Sequence, residues 1–115
     1  MGIHWQVFWQ QTRTGVCPVF RFDEAHTLLG TFLAADVQRQ PARFRQALHH
    51  VMQGGQADDS TTGNVCTVMM GRERVVVLDA LAMDGIGKAC ALPSNVFLAM
   101  LDAWEEAWRQ AGEVT

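Results

Sequence analysis

Thr62-Gly63-Asn64-Val65-Cys66-Thr67-Val68-Met69-Met70-Gly71-Arg72-Glu73-Arg74-Val75-Val76-Val77-Leu78-Asp79 is the stretch that decides the fold. A turn opens it, an apolar run follows, Gly71-Arg72-Glu73 interrupts, and a second apolar run rich in valine completes a strand pair over 64–71 and 73–81. Beyond a loop at Asp84-Gly-Ile-Gly-Lys88, Leu92-Pro93-Ser94-Asn95 signals a helix start. Phe97, Leu101, Trp104 and Trp108 then recur at helical spacing, so a helix from about Ser94 to Gln110 turns that face to the core. Asp102, Glu106, Arg109 and Glu113 fall on its outer face.

Working back toward the start, Gly55 to Thr62 is polar and aperiodic and reads as a loop. Before it, Pro41 stands at a first helical position. Phe44, Ala47, Leu48, Val51 and Met52 form the stripe of that helix, and Gly54-Gly55 stops it. Asp23 is an N-cap for an earlier helix whose stripe is Ala25, Leu28, Leu29, Phe32 and Leu33. Gly30 weakens that helix and leaves a strand over Leu28 to Leu33 as the alternative. Ile3 to Gln10 alternates as a strand with Ile3, Trp5, Val7 and Trp9 on one face, and Trp5 and Trp9 are assigned to the core. Thr12-Arg-Thr-Gly15 turns the chain into a second strand, Val16 to Phe22, which Pro18 confines to a sheet edge. The order β-β-α-α-β-β-α predicts an α+β fold: an antiparallel sheet of about four strands with helices packed on one face.

A length of 115 residues fits a single domain spanning 1–115. The net charge of −3 is unevenly placed. Residues 1–53 carry five arginines against three carboxylates, a balance of +2, and residues 54–115 carry four basic groups against nine acidic ones, a balance of −5. That argues against a nucleic-acid partner and for an acidic face receiving a basic protein. Cys17, Cys66 and Cys90 are widely spaced and odd in number, which fits reduced thiols in the cytosol. The first residues lack the pattern of a signal peptide, and no apolar run approaches the ~20 residues of a membrane span. The expectation is a soluble, cytoplasmic protein with no membrane partner.

No catalytic set emerges from the residues. His4, His26, His49 and His50 show no ligand spacing, and the side chains of His49 and His50 diverge by about 100° on a helix, so no metal is expected. Cys66 reads as a small core residue, and neither Cys17 nor Cys90 has an adjacent base. Gly85-Ile-Gly87-Lys88 lacks both the earlier glycine and the following hydroxyl of a phosphate loop, so no cofactor is expected. Asp58-Asp59 and Glu105-Glu106 are paired carboxylates, and Asp58-Asp59 sit in the most polar stretch of the chain, where little shields a carboxyl for acid–base work and solubility or partner binding is the simpler role.

One resemblance joins these pieces. The N-terminal hairpin leads through Phe22-Asp23-Glu24-Ala25 into Leu28-Leu29 and Phe32-Leu33. Phe44, Leu48, Val51 and the glycines at 54–55 come next, then Thr62-Gly63-Asn64, Val75 to Asp79, and Leu92-Pro93-Ser94 with Phe97, Leu101 and Trp104. This is similar to small immunity proteins of bacterial polymorphic-toxin and contact-dependent growth-inhibition systems, including the CdiI-type, YacL-like group. The resemblance implies a non-enzymatic cytosolic protein that binds and blocks a toxin domain, often a nuclease, delivered by a neighbouring cell. It carries over no contact residues. Charge and expected exposure alone nominate Asp58, Asp59, Asp84, Asp102 and Glu106 for toxin binding. Two alternatives remain open: an adaptor or dimerisation module using the Trp5/Trp9 strand as an exposed edge, and a small enzyme with a Cys66–His site.

Overall fold

In the computed structural model, which describes residues 3–54, 59–62, 66–79 and 89–114, the first strands form a long hairpin. β1 (Trp5–Thr12) and β2 (Gly15–Phe22) pair without a bulge from Trp5↔Phe22 to Thr12↔Gly15. Arg13-Thr14 forms the two-residue turn, Gly15 takes the positive φ it needs, and the Thr12 hydroxyl donates to the Gly15 carbonyl at 2.7 Å. Pro18 stands on β2, beside whose second edge no strand lies among the described residues, so its missing N–H costs no ladder bond.

The helical segment after Asp23 is built in three pieces. A 3-10 turn (Glu24–His26) enters α1 (Thr27–Phe32), and a π-helical turn (Leu33–Val37) leaves it. The expected stripe is buried at Leu28, Leu29, Phe32 and Leu33, whereas Ala25 is exposed. Asp23 does not cap through its side chain. Its carboxylate pairs with His26 Nδ1 at 2.6 Å, and its carbonyl accepts the His26 N–H. Gly30 has a structural reason: a Cβ there would lie 2.9 Å from the Phe20 carbonyl oxygen, so the glycine lets α1 approach β2.

α2 (Pro41–Met52) begins on proline as expected, and Gly54 ends it at φ +103°, its N–H bonded to the Val51 carbonyl. Phe44, Leu48 and Val51 are buried, but Met52, assigned to the stripe, is exposed.

The second sheet differs from the reading of the sequence. It has four strands, β3 (Asp59–Thr62), β4 (Cys66–Met70), β5 (Arg74–Asp79) and β6 (Ala89–Pro93), antiparallel and in chain order. The fold is thus α+β, with six described strands in two sheets rather than about four in one. Residues 59–62, read as loop, are β3; an edge strand needs only backbone pairing, so Asp-Ser-Thr-Thr carries no hydrophobic alternation to betray it. β6 went unread because two of its five residues are alanines. The turn residues Gly63 and Asn64, the tail of the second predicted strand, and the 84–88 loop lie outside the described residues.

Cys66, Val68 and Met70 of β4, Val75 and Val77 of β5, and Cys90 and Leu92 of β6 alternate onto one buried face. α1 and α3 (Ser94–Val114) cover it. α3 runs a turn past its expected end and buries Phe97, Met100, Leu101, Trp104, Ala107 and Ala111. Its start is tied to the β4–β5 turn: the Ser94 N–H donates to the Glu73 carbonyl and the Ser94 hydroxyl to the Gly71 carbonyl, at 2.9 and 2.8 Å. Trp104 meets Phe20 edge-on at 5.1 Å between ring centres, so α3 also anchors the hairpin. Trp108, expected in the core, is only half-buried and lies under the Arg39 guanidinium.

Candidate functional site

The outer face of α3 carries the most closely grouped of the nominated carboxylates. Asp102 and Glu106 lie one turn apart, with Glu105 beside them, because four residues advance the helix by slightly more than one turn. Their charge is partly answered within the chain. Arg45 of α2 donates from Nη2 to Asp102 at 2.9 Å and to Glu105 at 3.3 Å, while Glu106 pairs with Arg109 on the same helix. Asp102 keeps 67% of its side chain in water, so it is held in place without being hidden. Such an exposed pair contributes ~0–1 kcal/mol to stability, too little to require three carboxylates here.

The remaining nominees do not join this face within the described structure. Asp59 begins β3, the edge strand, opposite Met70 of β4. Asp58 and Asp84 lie outside the described residues.

The Cys66 environment is the reverse of an activated nucleophile. Its thiol is fully buried and its pKa is pushed up to about 12, first by burial and then by the negative charges of Asp36 and Asp79. Asp36, itself buried, also accepts the Cys66 backbone N–H at 2.8 Å and so ties the π-helical turn to β4. A thiol raised that far is a poor nucleophile at neutral pH. Among the described residues, no three of His, Cys, Asp and Glu come together as a metal site requires.

A groove of about 470 Å³ is lined by residues of both the hairpin and the helical side, Pro18, Val19, Gln38, Arg39, Trp104 and Trp108 among them. Beside it, the alternative that treats the Trp5/Trp9 strand as an exposed edge finds a counterpart in part of β1. Val7, Phe8 and Trp9 of β1 are 41%, 41% and 46% exposed, although Trp9 was assigned to the core. β2 packs on α1 and α3 while β1 stands outside it, so only Trp5 reaches inward, stacking on Phe20 at 6.0 Å. The signal was present: β1 is apolar on both faces around Phe8 and uncharged throughout, unlike a strand with one solvated side.

The comparison with known proteins adds one likeness. The chain is similar to an immunity protein of Bacillus cereus. The two are 25% identical over 92 residues, covering 80% of this chain and 79% of that protein. No family model matches the chain, and no solved structure matches it. Among the described residues, no helix is long and apolar enough to cross a membrane.

Proposed function

We propose that this chain is an immunity protein: it binds a cognate toxin domain and neutralises it by occupying its working surface, with no catalysis of its own. The likeness to the Bacillus cereus immunity protein carries the reading, because it extends over about four fifths of both chains. The finer proposal is that the partner belongs to a contact-dependent or other polymorphic-toxin system, is a basic nuclease, and is met in the cytoplasm. The −5 balance of residues 54–115 supports a basic partner. The proposed contact set is Asp58, Asp59, Asp84, Asp102 and Glu106. The raised Cys66 pKa weighs against the small-enzyme alternative.

Co-expression with the toxin domain encoded beside this protein tests the reading directly. Cells carrying both should grow, cells carrying the toxin alone should not, and the two proteins should form a complex on mixing. Equal survival with and without this chain would end the immunity reading. If charge steers the encounter, association should slow as salt shortens the Debye length below ~10 Å. Replacing Asp58, Asp59 and Asp84 together by Asn should slow it as well. A complex whose association rate ignores both changes would leave immunity standing and remove the acidic surface.

A further inference from the structure

We propose that the free edge of β1 pairs with β1 of a second copy of this chain, giving a two-fold dimer with a continuous sheet in the order β2-β1-β1-β2. The edge is open: the hairpin forms a two-stranded sheet, and among the described residues no strand adjoins the outer side of β1. It is also unguarded. Edge strands that must stay single carry charges, prolines or bulges, whereas Trp5–Thr12 holds no charge and no proline and runs unbulged through eight paired positions.

The sequence of the edge selects its occupant. A two-fold axis perpendicular to the sheet pairs each residue with the one equally far on the other side of the axis. Gln6-Val7-Phe8-Trp9-Gln10 is a chemical palindrome about Phe8. With the axis at Phe8, Val7 faces the partner's Trp9, Gln6 faces the partner's Gln10, and Phe8 faces the partner's Phe8. Every apolar side chain then meets an apolar one and every amide meets an amide, the cross-strand matches that stabilise antiparallel pairs.

The two faces of the hairpin agree with this arrangement. Val7 and Trp9 share a face with Phe20 and Pro18, so the copied strand extends an apolar surface already continuous with the core. On the other face Arg21 lies over the Phe8 ring at 4.8 Å, where it would flank the central Phe8 pair while remaining off the axis. One event would cover Val7, Phe8 and Trp9, three of the five large hydrophobic residues that are exposed among the described residues. The pairing does not depend on the immunity reading and can be tested without a toxin.

The test is the solution mass of the full chain, measured by sedimentation or by light scattering across a concentration series. The expected result is a reversible dimer of twice 12.8 kDa. Phe8→Lys sets two like charges against each other on the axis and should give a folded monomer, with a native circular dichroism spectrum and a melting temperature that no longer rises with protein concentration as the parent's does. Met69→Lys places the same charge on an exposed position of the other sheet and should leave the dimer intact. A single-chain mass up to millimolar concentration, open-ended aggregates in place of a dimer, or a dimer that survives Phe8→Lys would overturn the proposal. So would loss of the dimer in Met69→Lys.

Discussion

At the scale of single residues, three positions hold more than their side chains suggest. Gly30→Ala should destabilise the protein even though alanine is the better helix former by ~1 kcal/mol, because its Cβ would press on the Phe20 carbonyl. A melting temperature at or above that of the parent would show that the α1–β2 approach can relax. Gln38 sits at φ 52° and ψ −123° where the π-helical turn ends, with the Gln40 N–H closing onto the Val37 carbonyl. That conformation favours glycine, so Gln38→Gly should raise unfolding stability by about 1 kcal/mol, and Gln38→Val should lower it. Denaturant titration of the three proteins decides the matter. Cys66 supplies a pH dependence. Its folded pKa is raised from 9.0 to about 12, so above pH 9 the unfolded chain loses the thiol proton first. The stabilisation is therefore complete below pH 9 and is lost as pH rises toward 12. In Cys66→Ala that part of the decline should be absent.

At the scale of elements, α3 bears most of the architecture. Trp104 is buried, packs on Phe20 and Trp108, and donates its indole N–H to the Gln38 carbonyl at 2.6 Å. Trp104→Ala should cost ~3–5 kcal/mol, a large share of the ~5–15 kcal/mol that holds a domain together. Circular dichroism through a thermal ramp would reveal it, and an unchanged midpoint would remove Trp104 from the central core. The outer face of the same helix should behave differently. Asp102→Asn breaks an exposed pair with Arg45 and should shift stability by less than ~1 kcal/mol, leaving its effect on partner binding to be measured cleanly. α2, α3 and the β4–β5 pair were legible because periodicity, proline, glycine and valine all pointed the same way. β3 and β6 were not, since a polar edge strand and an alanine-containing one show little pattern of their own. The π-helical turn was beyond reach too: Asp36 lies where it does because the Cys66 N–H needs an acceptor, a demand made thirty residues downstream.

At the scale of the whole molecule, a core shared by both sheets and all three α-helices leaves two unlike surfaces. One is the acidic outer face of α3, part of a chain half with a −5 balance; the other is the uncharged β1 edge at the opposite end of the sequence. The acidic candidates could be nominated from composition, because charge survives folding wherever it is not needed inside. The β1 edge could not be placed so simply. Alternating Trp5, Val7 and Trp9 look the same whether the strand lies over the core or overhangs it, and only the position of β2 against α1 and α3 separates the two. Trp9 and Trp104 therefore differ in optical behaviour as well as in burial. Trp9, with nearly half its surface in water, should emit to the red of Trp104 and be reached first by a small neutral quencher. Anything that settles on β1 will announce itself in the protein's own light, as a blue shift and a loss of quenching, with no label attached.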